Sequence, residues 1–120
     1  MARALVVKIT AGADDPERTI TALNVASAAA VSGVAVSLWL SGDATWLATK
    51  TGQPELIIAG APDWQELYDT ATSISGAKVC AQCAQRRGIR SEDLRDGATI
   101  AGVASFVAEV TEPGVQALVY

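Results

Sequence analysis

Two short apolar runs flank a capped helical segment, and this arrangement restricts the fold more than any other feature of the chain. Ala4-Leu5-Val6-Val7-Lys8-Ile9 and Val34-Ala35-Val36-Ser37-Leu38-Trp39-Leu40 are short for helices, and the first is rich in β-branched residues. They are nearly continuous apolar runs, so each reads as a strand buried on both faces. Between them, Asp15-Pro16-Glu17 is a helix start, with Asp15 as N-cap, Pro16 at the first helical position and Glu17 in the first turn. The helix runs on through Ile20, Leu23, Ser27, Ala30 and Val31, and Gly33 closes it. Its many alanines allow close approach to a sheet. Strand, crossover helix and strand make the βαβ unit of a parallel sheet.

The rest of the chain repeats that alternation. Asp43 can cap a short helix over Ala44 to Lys50, which stops at Gly52. Pro54 to Ala61 reads as an extended crossing loop, although Leu56-Ile57-Ile58-Ala59 could also pair as a strand. Asp63 and Glu66 form a capping-box pattern, and Trp64, Leu67, Tyr68, Ala71 and Ile74 follow at helical spacing on one face up to Gly76. Ala77 to Cys80 is a third strand. Ala81 to Arg87 gives about two helical turns closed by Gly88, and Ser91 can cap another turn. Ile100, Val103, Ala104 and Val107 mark a last long helix ending near Glu112-Pro113, and Val115 to Tyr120 is a final strand. The order β-α-β-α-α-β-α-α-β implies an α/β fold of three layers, α/β/α, around a mostly parallel sheet of four to five strands. Leu5–Ile9, Val34–Leu40, Ala77–Cys80 and Val115–Tyr120 are expected in one sheet, the first three parallel. With 120 residues, the whole chain 1–120 is one domain with a core of its own.

The chain has no histidine. A Ser-His-Asp or Cys-His pair is therefore impossible within it, as is zinc or haem held by histidine. The net charge is −4, from 9 basic and 13 acidic residues, and the densest basic run, Arg86, Arg87, Arg90 and Arg95, is broken by Glu92 and Asp93. That balance excludes ordinary nucleic-acid binding. Thr19 to Gly42 carries no charge and is long enough to cross a bilayer, but alanine and serine give little insertion energy and Gly33 divides it, so no membrane association is expected. At the N-terminus, Lys8 stops the apolar stretch Ala4 to Val7 before a signal-peptide core can form. With two cysteines and no such signal, a reducing cytoplasmic setting is expected.

In parallel sheets, ligands and chemistry gather beyond the carboxyl ends of the strands. Here those ends are Thr10–Gly12, Ser41–Asp43 and Cys80. Cys80-Ala81-Gln82-Cys83 straddles a strand end and a helix start, where backbone N–H groups favour thiolate over thiol. Arg86 and Arg87 lie almost two turns on and are expected to face solvent. Four readings are open for the pair: a persulfide carrier on Cys80, a dithiol–disulfide couple, half of a four-cysteine zinc site completed by a second subunit, or two small core residues. Other features have plainer readings. Gly12, Gly42 and Gly60 fit no phosphate-binding fingerprint. Asp43 reads as a cap, Asp14 and Asp15 as helix-start carboxylates, and Trp39, Trp46, Trp64 and Tyr68 as core or subunit contacts. No bound metal, nucleotide or other cofactor is expected.

Several stretches in order carry a family resemblance. They are Leu5 to Ile9, Thr21-Ala22-Leu23-Asn24-Val25-Ala26, Val36 to Ala44, Val79-Cys80-Ala81-Gln82-Cys83-Ala84-Gln85-Arg86-Arg87-Gly88-Ile89, Asp96-Gly97-Ala98-Thr99-Ile100-Ala101-Gly102, and Phe106. Together they resemble the DsrE/DsrF-like family, which includes subunits of sulfur-relay complexes. The resemblance implies a three-layer fold and a homo-oligomer, here a trimer or hexamer before a dimer. It also implies a sulfur-accepting cysteine at the end of the third strand, eight residues before the glycine of an Arg-Gly step, and Cys80 stands eight before Gly88. Cys83 has no counterpart in those sulfur-relay subunits. The expected function is acceptance and transfer of sulfur as a persulfide on Cys80, between a donor and an acceptor protein, with Cys83 as the releasing thiol. Whether this amounts to sulfurtransferase catalysis is left open. The alternatives are an oligomeric scaffold or binding module with structural cysteines, or a Cys-x-x-Cys redox protein.

Overall fold

The computed structural model describes residues 4–120, so Met1-Ala2-Arg3, the start of the stretch read as lacking a signal peptide, lies outside the described residues. Five strands form one sheet: β1 Ala4–Ile9, β2 Ala35–Leu40, β3 Ala77–Cys80, β4 Ala98–Ala101 and β5 Val115–Val119. Their order across the sheet is β4-β3-β2-β1-β5, and every neighbouring pair is parallel. The helices are α1 Pro16–Val31, α2 Trp64–Thr72, α3 Ala81–Arg86 and α4 Val103–Val110, with 3-10 segments at Gly42–Ala48 and Ser91–Asp93. The α/β architecture and the shared parallel sheet match the reading from sequence.

Strand alternation divides the side chains between two faces. On one face, Val7, Leu38 and Ala77 stand in register, as do Ile9, Leu40 and Val79 one step further on. These residues are buried against Ile20, Leu23 and Ala26 of α1 and Trp64, Tyr68 and Ala71 of α2, and they form the core. The start of α1 forms as its sequence dictates: the Asp15 carboxylate accepts the Arg18 N–H, and Pro16 begins the helix. Ala22 and Ala26 have no exposed surface, so the small side chains of α1 are the ones pressed onto the sheet.

On the opposite face, Lys8, Trp39, Lys78 and Thr99 lie abreast. Helix α4 packs on this face. Phe106 meets the Trp39 ring edge-on with centroids 5.2 Å apart, and the Lys8 ammonium lies 4.7 Å from the Phe106 centroid. Glu109 accepts from the Lys78 ammonium at 2.7 Å and from the Trp39 indole N–H at 3.3 Å. No residue of α4 is fully buried.

Several expectations are corrected. Ile100 belongs to β4, not to the last helix, which is only the eight residues Val103–Val110. The segment after β2 is a 3-10 helix over Gly42–Ala48 in place of a helix over Ala44 to Lys50. Asp43 does not cap it: Ser41 holds the N-cap position, and the Asp43 carboxylate accepts the Asp14 N–H from another loop. Ile74 falls beyond the end of α2 and is 85% exposed, so helical spacing no longer places it on the buried face. Val31, in the last turn of α1, is likewise exposed. Gly76 has φ +67°, and a Cβ there would collide with the Gly97 carbonyl oxygen, so the entry into β3 requires glycine. The uncharged stretch Thr19 to Gly42 is divided between α1 and β2, and no helix among the described residues is long and apolar enough to cross a membrane.

Candidate functional site

The chain fills β1 to β4 in one direction and then returns to place β5 on the far side of β1. The crevice at such a reversal is the usual ligand site of a parallel sheet. Here it is stitched shut: the Thr10 N–H and hydroxyl both donate to the Tyr120 carbonyl, at 2.9 and 2.7 Å. Gly12 packs against Asp43, in the segment that follows Ser41. The chemistry-bearing edge lies over β2 and β3 instead.

Leu40 and Val79 are register partners, so one step further on Ser41 and Cys80 stand side by side. Cys80 ends β3 and is at once the N-cap residue of α3, with φ −57° and ψ 123°. The chain turns there because Ala81 begins a helix with no break between the two elements. Cys80 is partly exposed and Cys83, one helical turn on, is buried; both are free thiols. Partial burial pushes the Cys80 thiol up. The Cys83 N–H, the Cys83 thiol, the Gln82 N–H and the Ser41 hydroxyl offset this, and the net result lies below the ordinary thiol value. The Cys80 side chain closes no full capping hydrogen bond, so these groups act as dipoles aimed at the sulfur. A thiolate gains more from them than a thiol does. With α3 only six residues long, the local amides matter more than any helix-wide dipole.

The two arginines do not simply face solvent. The Arg86 guanidinium reaches within 4.0 Å of Cys83 Sγ, and that of Arg87 donates to the Cys83 carbonyl at 3.1 Å. Both favour negative charge near the pair. In the sequence, Ser41 reads only as part of a strand end. The signal that identifies it is the β2–β3 register, which sequence alone does not supply. Asp43 stays outside the thiol cluster and lines a separate cavity. Among the described residues, no three of His, Cys, Asp or Glu stand close enough to hold a metal ion. A zinc site would need both remaining thiolates from elsewhere.

Fold and thiol edge together define a small parallel α/β protein with a cysteine at the end of its third strand. The DsrE/DsrF-like family model matches residues 3–119, and the chain belongs to that family. Two relatives are uncharacterized proteins. MJ0989 of Methanocaldococcus jannaschii is 32% identical over 107 residues, covering 88% of this chain and 90% of the relative. MK0008 of Methanopyrus kandleri is 33% identical over 98 residues, covering 80% and 77%. Among solved structures, the ychN protein from E. coli is 23% identical with TM-score 0.77 over all of both chains. MTH1491 from Methanobacterium thermoautotrophicum, a protein of unknown function, is 16% identical with TM-score 0.70, again over all of both chains. At these identities the two structures establish the shared fold.

Proposed function

We propose that this protein accepts and passes on sulfur as a persulfide on Cys80. The observation that carries the reading is the set of donors around one partly exposed thiol: two amides, a hydroxyl and a neighbouring thiol at a strand end. In the loading step, the Cys80 thiolate attacks the outer sulfur of a donor persulfide. The new bond joins Cys80 Sγ to that sulfur, and the donor leaves as a thiolate. An acceptor thiolate can then take the outer sulfur and restore Cys80. Alternatively, the Cys83 thiolate attacks Cys80 Sγ and displaces the outer sulfur as hydrosulfide. That route leaves an 80–83 disulfide, which an external dithiol must reduce before the next cycle.

Family membership supports the reading, as does the position of Cys80 eight residues before Gly88. Assembly into a homotrimer or homohexamer belongs to the same proposal. Val103 and Val107 on α4 and Leu118 and Val119 on the edge strand β5 are exposed apolar residues that subunit contacts would cover. Sulfur donor and acceptor proteins and a reducing cytoplasmic setting complete it.

The test is intact-protein mass spectrometry after incubation with glutathione persulfide. Wild type should gain the mass of one sulfur atom, and peptide mapping should place it on Cys80. Cys80→Ser should abolish loading, because a hydroxyl there has no activating base. Cys83→Ser should load normally and release more slowly. Sulfur found on Cys83 but not on Cys80 would refute the assignment. The proximity of the two thiols also favours a second reading, a dithiol–disulfide couple, in which both substitutions abolish turnover and mild oxidant forms an 80–83 disulfide. Equal stability loss on both substitutions, with no reactivity, would make the pair structural.

A further inference from the structure

A cavity of about 340 Å³ opens near the same rim of the sheet, lined by Ala13, Asp43, Trp46, Gly52 and Pro54. That volume lies within the usual range for small-ligand sites. The cysteines do not line it, and sulfur transfer makes no use of it.

Its one charged lining residue is fixed in place but not neutralised. Asp43 Oδ2 accepts the Asp14 N–H at 3.1 Å, a bond to a neutral amide. Gly12 is pressed against the same residue: a Cβ there would come within 2.5 Å of the Asp43 carbonyl oxygen and 3.2 Å of Oδ2. No lysine or arginine among the described residues pairs with the Asp43 carboxylate. The 3-10 geometry of Gly42–Ala48 supplies the second element. In a 3-10 helix residues i and i+3 eclipse, so Asp43 and Trp46 present a carboxylate and an indole on one face. The benzo edge of that indole rests on Gly52, where a Cβ would fall 2.6 Å from Cε3 and 2.9 Å from Cζ3. Glycine is what allows the ring to lie against the backbone there. Ala13 and Pro54 add apolar wall.

A fixed, unpaired carboxylate beside an aromatic surface in an otherwise apolar recess is complementary to one class of ligand. We infer that this cavity binds a small organic ammonium ion, its charge directed to Asp43 and its apolar body against Trp46. An anionic ligand would meet the bare carboxylate, and a neutral one would leave it without a counter-ion.

Benzylamine and its neutral analogue benzyl alcohol test this, read by the indole N–H resonances in NMR. Trp39 and Trp64 are 2% and 4% exposed and serve as internal references, and Trp46→Phe assigns the third signal. Benzylamine should shift the Trp46 signal saturably and leave the other two in place. Benzyl alcohol should bind at least about fivefold more weakly, the scale of one partly exposed charge contact. Asp43→Asn keeps an oxygen for the Asp14 N–H, and it should weaken benzylamine about fivefold while leaving benzyl alcohol unchanged. Gly52→Ala displaces the indole and should weaken both probes. Equal binding of the two probes to wild type overturns the inference, whatever the variants do. So does unchanged benzylamine affinity in Asp43→Asn, or no shift at Trp46.

Discussion

The two faces of the sheet are built on different principles. Under α1 and α2, the residues Val7, Ile9, Leu23, Leu38, Leu40 and Val79 have no exposed surface at all. Cohesion there is apolar burial and close packing. Under α4, the sheet presents Lys8, Trp39 and Lys78, and the helix answers with Phe106 and Glu109. Cohesion there is a partly exposed ion pair, ring contacts and lysine stems laid along apolar surface. The first face can only be a core. The second holds one short helix by contacts that also tolerate water, and it leaves Val103 and Val107 64% and 52% exposed. One face therefore carries most of the apolar burial of the fold, and the other leaves apolar side chains of its helix exposed.

The sharpest way to break this contrast is a pair of truncations. Leu38→Ala should cost about 2–5 kcal/mol in urea denaturation, from lost transfer energy plus a cavity. Val107→Ala should cost no more than about 0.5 kcal/mol. Similar losses would mean the two faces are equally core-like.

A smaller effect separates the faces by pH. Burial pushes the Glu109 carboxyl up, but hydrogen bonds from Lys78, the Ser37 hydroxyl and the Trp39 indole, with the Lys78 charge, hold it below the ordinary glutamate value. A carboxyl depressed in the folded state stabilises fully above its unfolded value of about 4.3, and loses that contribution as pH falls through the folded value. Glu109→Gln should therefore lower stability by about 0.5–1.5 kcal/mol at pH 7. Its urea midpoint should converge with wild type as pH falls through the depressed folded value of Glu109. A gap that stays constant with pH would remove the ion pair from the account. Leu38→Ala should show no such convergence.

The smallest effect on the isolated chain is expected from Val107→Asp, within about 0.5 kcal/mol if the site is surface in the monomer. Its effect on assembly should be large, because a charge would enter the proposed subunit contact. Sedimentation at tens of micromolar should show a homo-oligomer for wild type and a smaller species for the variant. An unchanged oligomer would move the contact off this face.

The thiol edge can be sharpened in the same way. The rate of Cys80 alkylation by iodoacetamide should reach half its plateau below the ordinary thiol value of about 8.5. Ser41→Ala should raise that midpoint, since the hydroxyl stabilises the thiolate.

The core face was largely legible in the sequence. Continuous apolar runs mark β1 and β2, Asp15-Pro16 marks the start of α1, and both features are local. The α4 face was less so. Ala98-Thr99-Ile100-Ala101 is four residues of modest hydrophobicity at a sheet edge. Ile100 also stands at helical spacing from Val103 and Val107, so periodicity merged β4 with the helix behind it. The Asp63 cap was readable, since its carboxylate accepts the Gln65 N–H. Asp43 was not, because its partner lies twenty-nine residues away. The candidate site divided along the same line. Cys80 and Cys83 follow from a strand-to-helix boundary within one short motif, whereas Ser41 enters only through the register of two strands.

The stitch between Thr10 and Tyr120 joins residues 110 apart in sequence. On the ribosome, everything needed to pair β1 with β2 and β2 with β3 emerges well before Val115. The β5 side of β1 stays an open, hydrogen-bond-hungry edge for most of synthesis, and closing it carries the largest loop entropy in the fold. A nascent chain stalled after α4 thus leaves β1 as an unpaired edge strand. Until β5 covers it, that edge is a template for pairing with other chains.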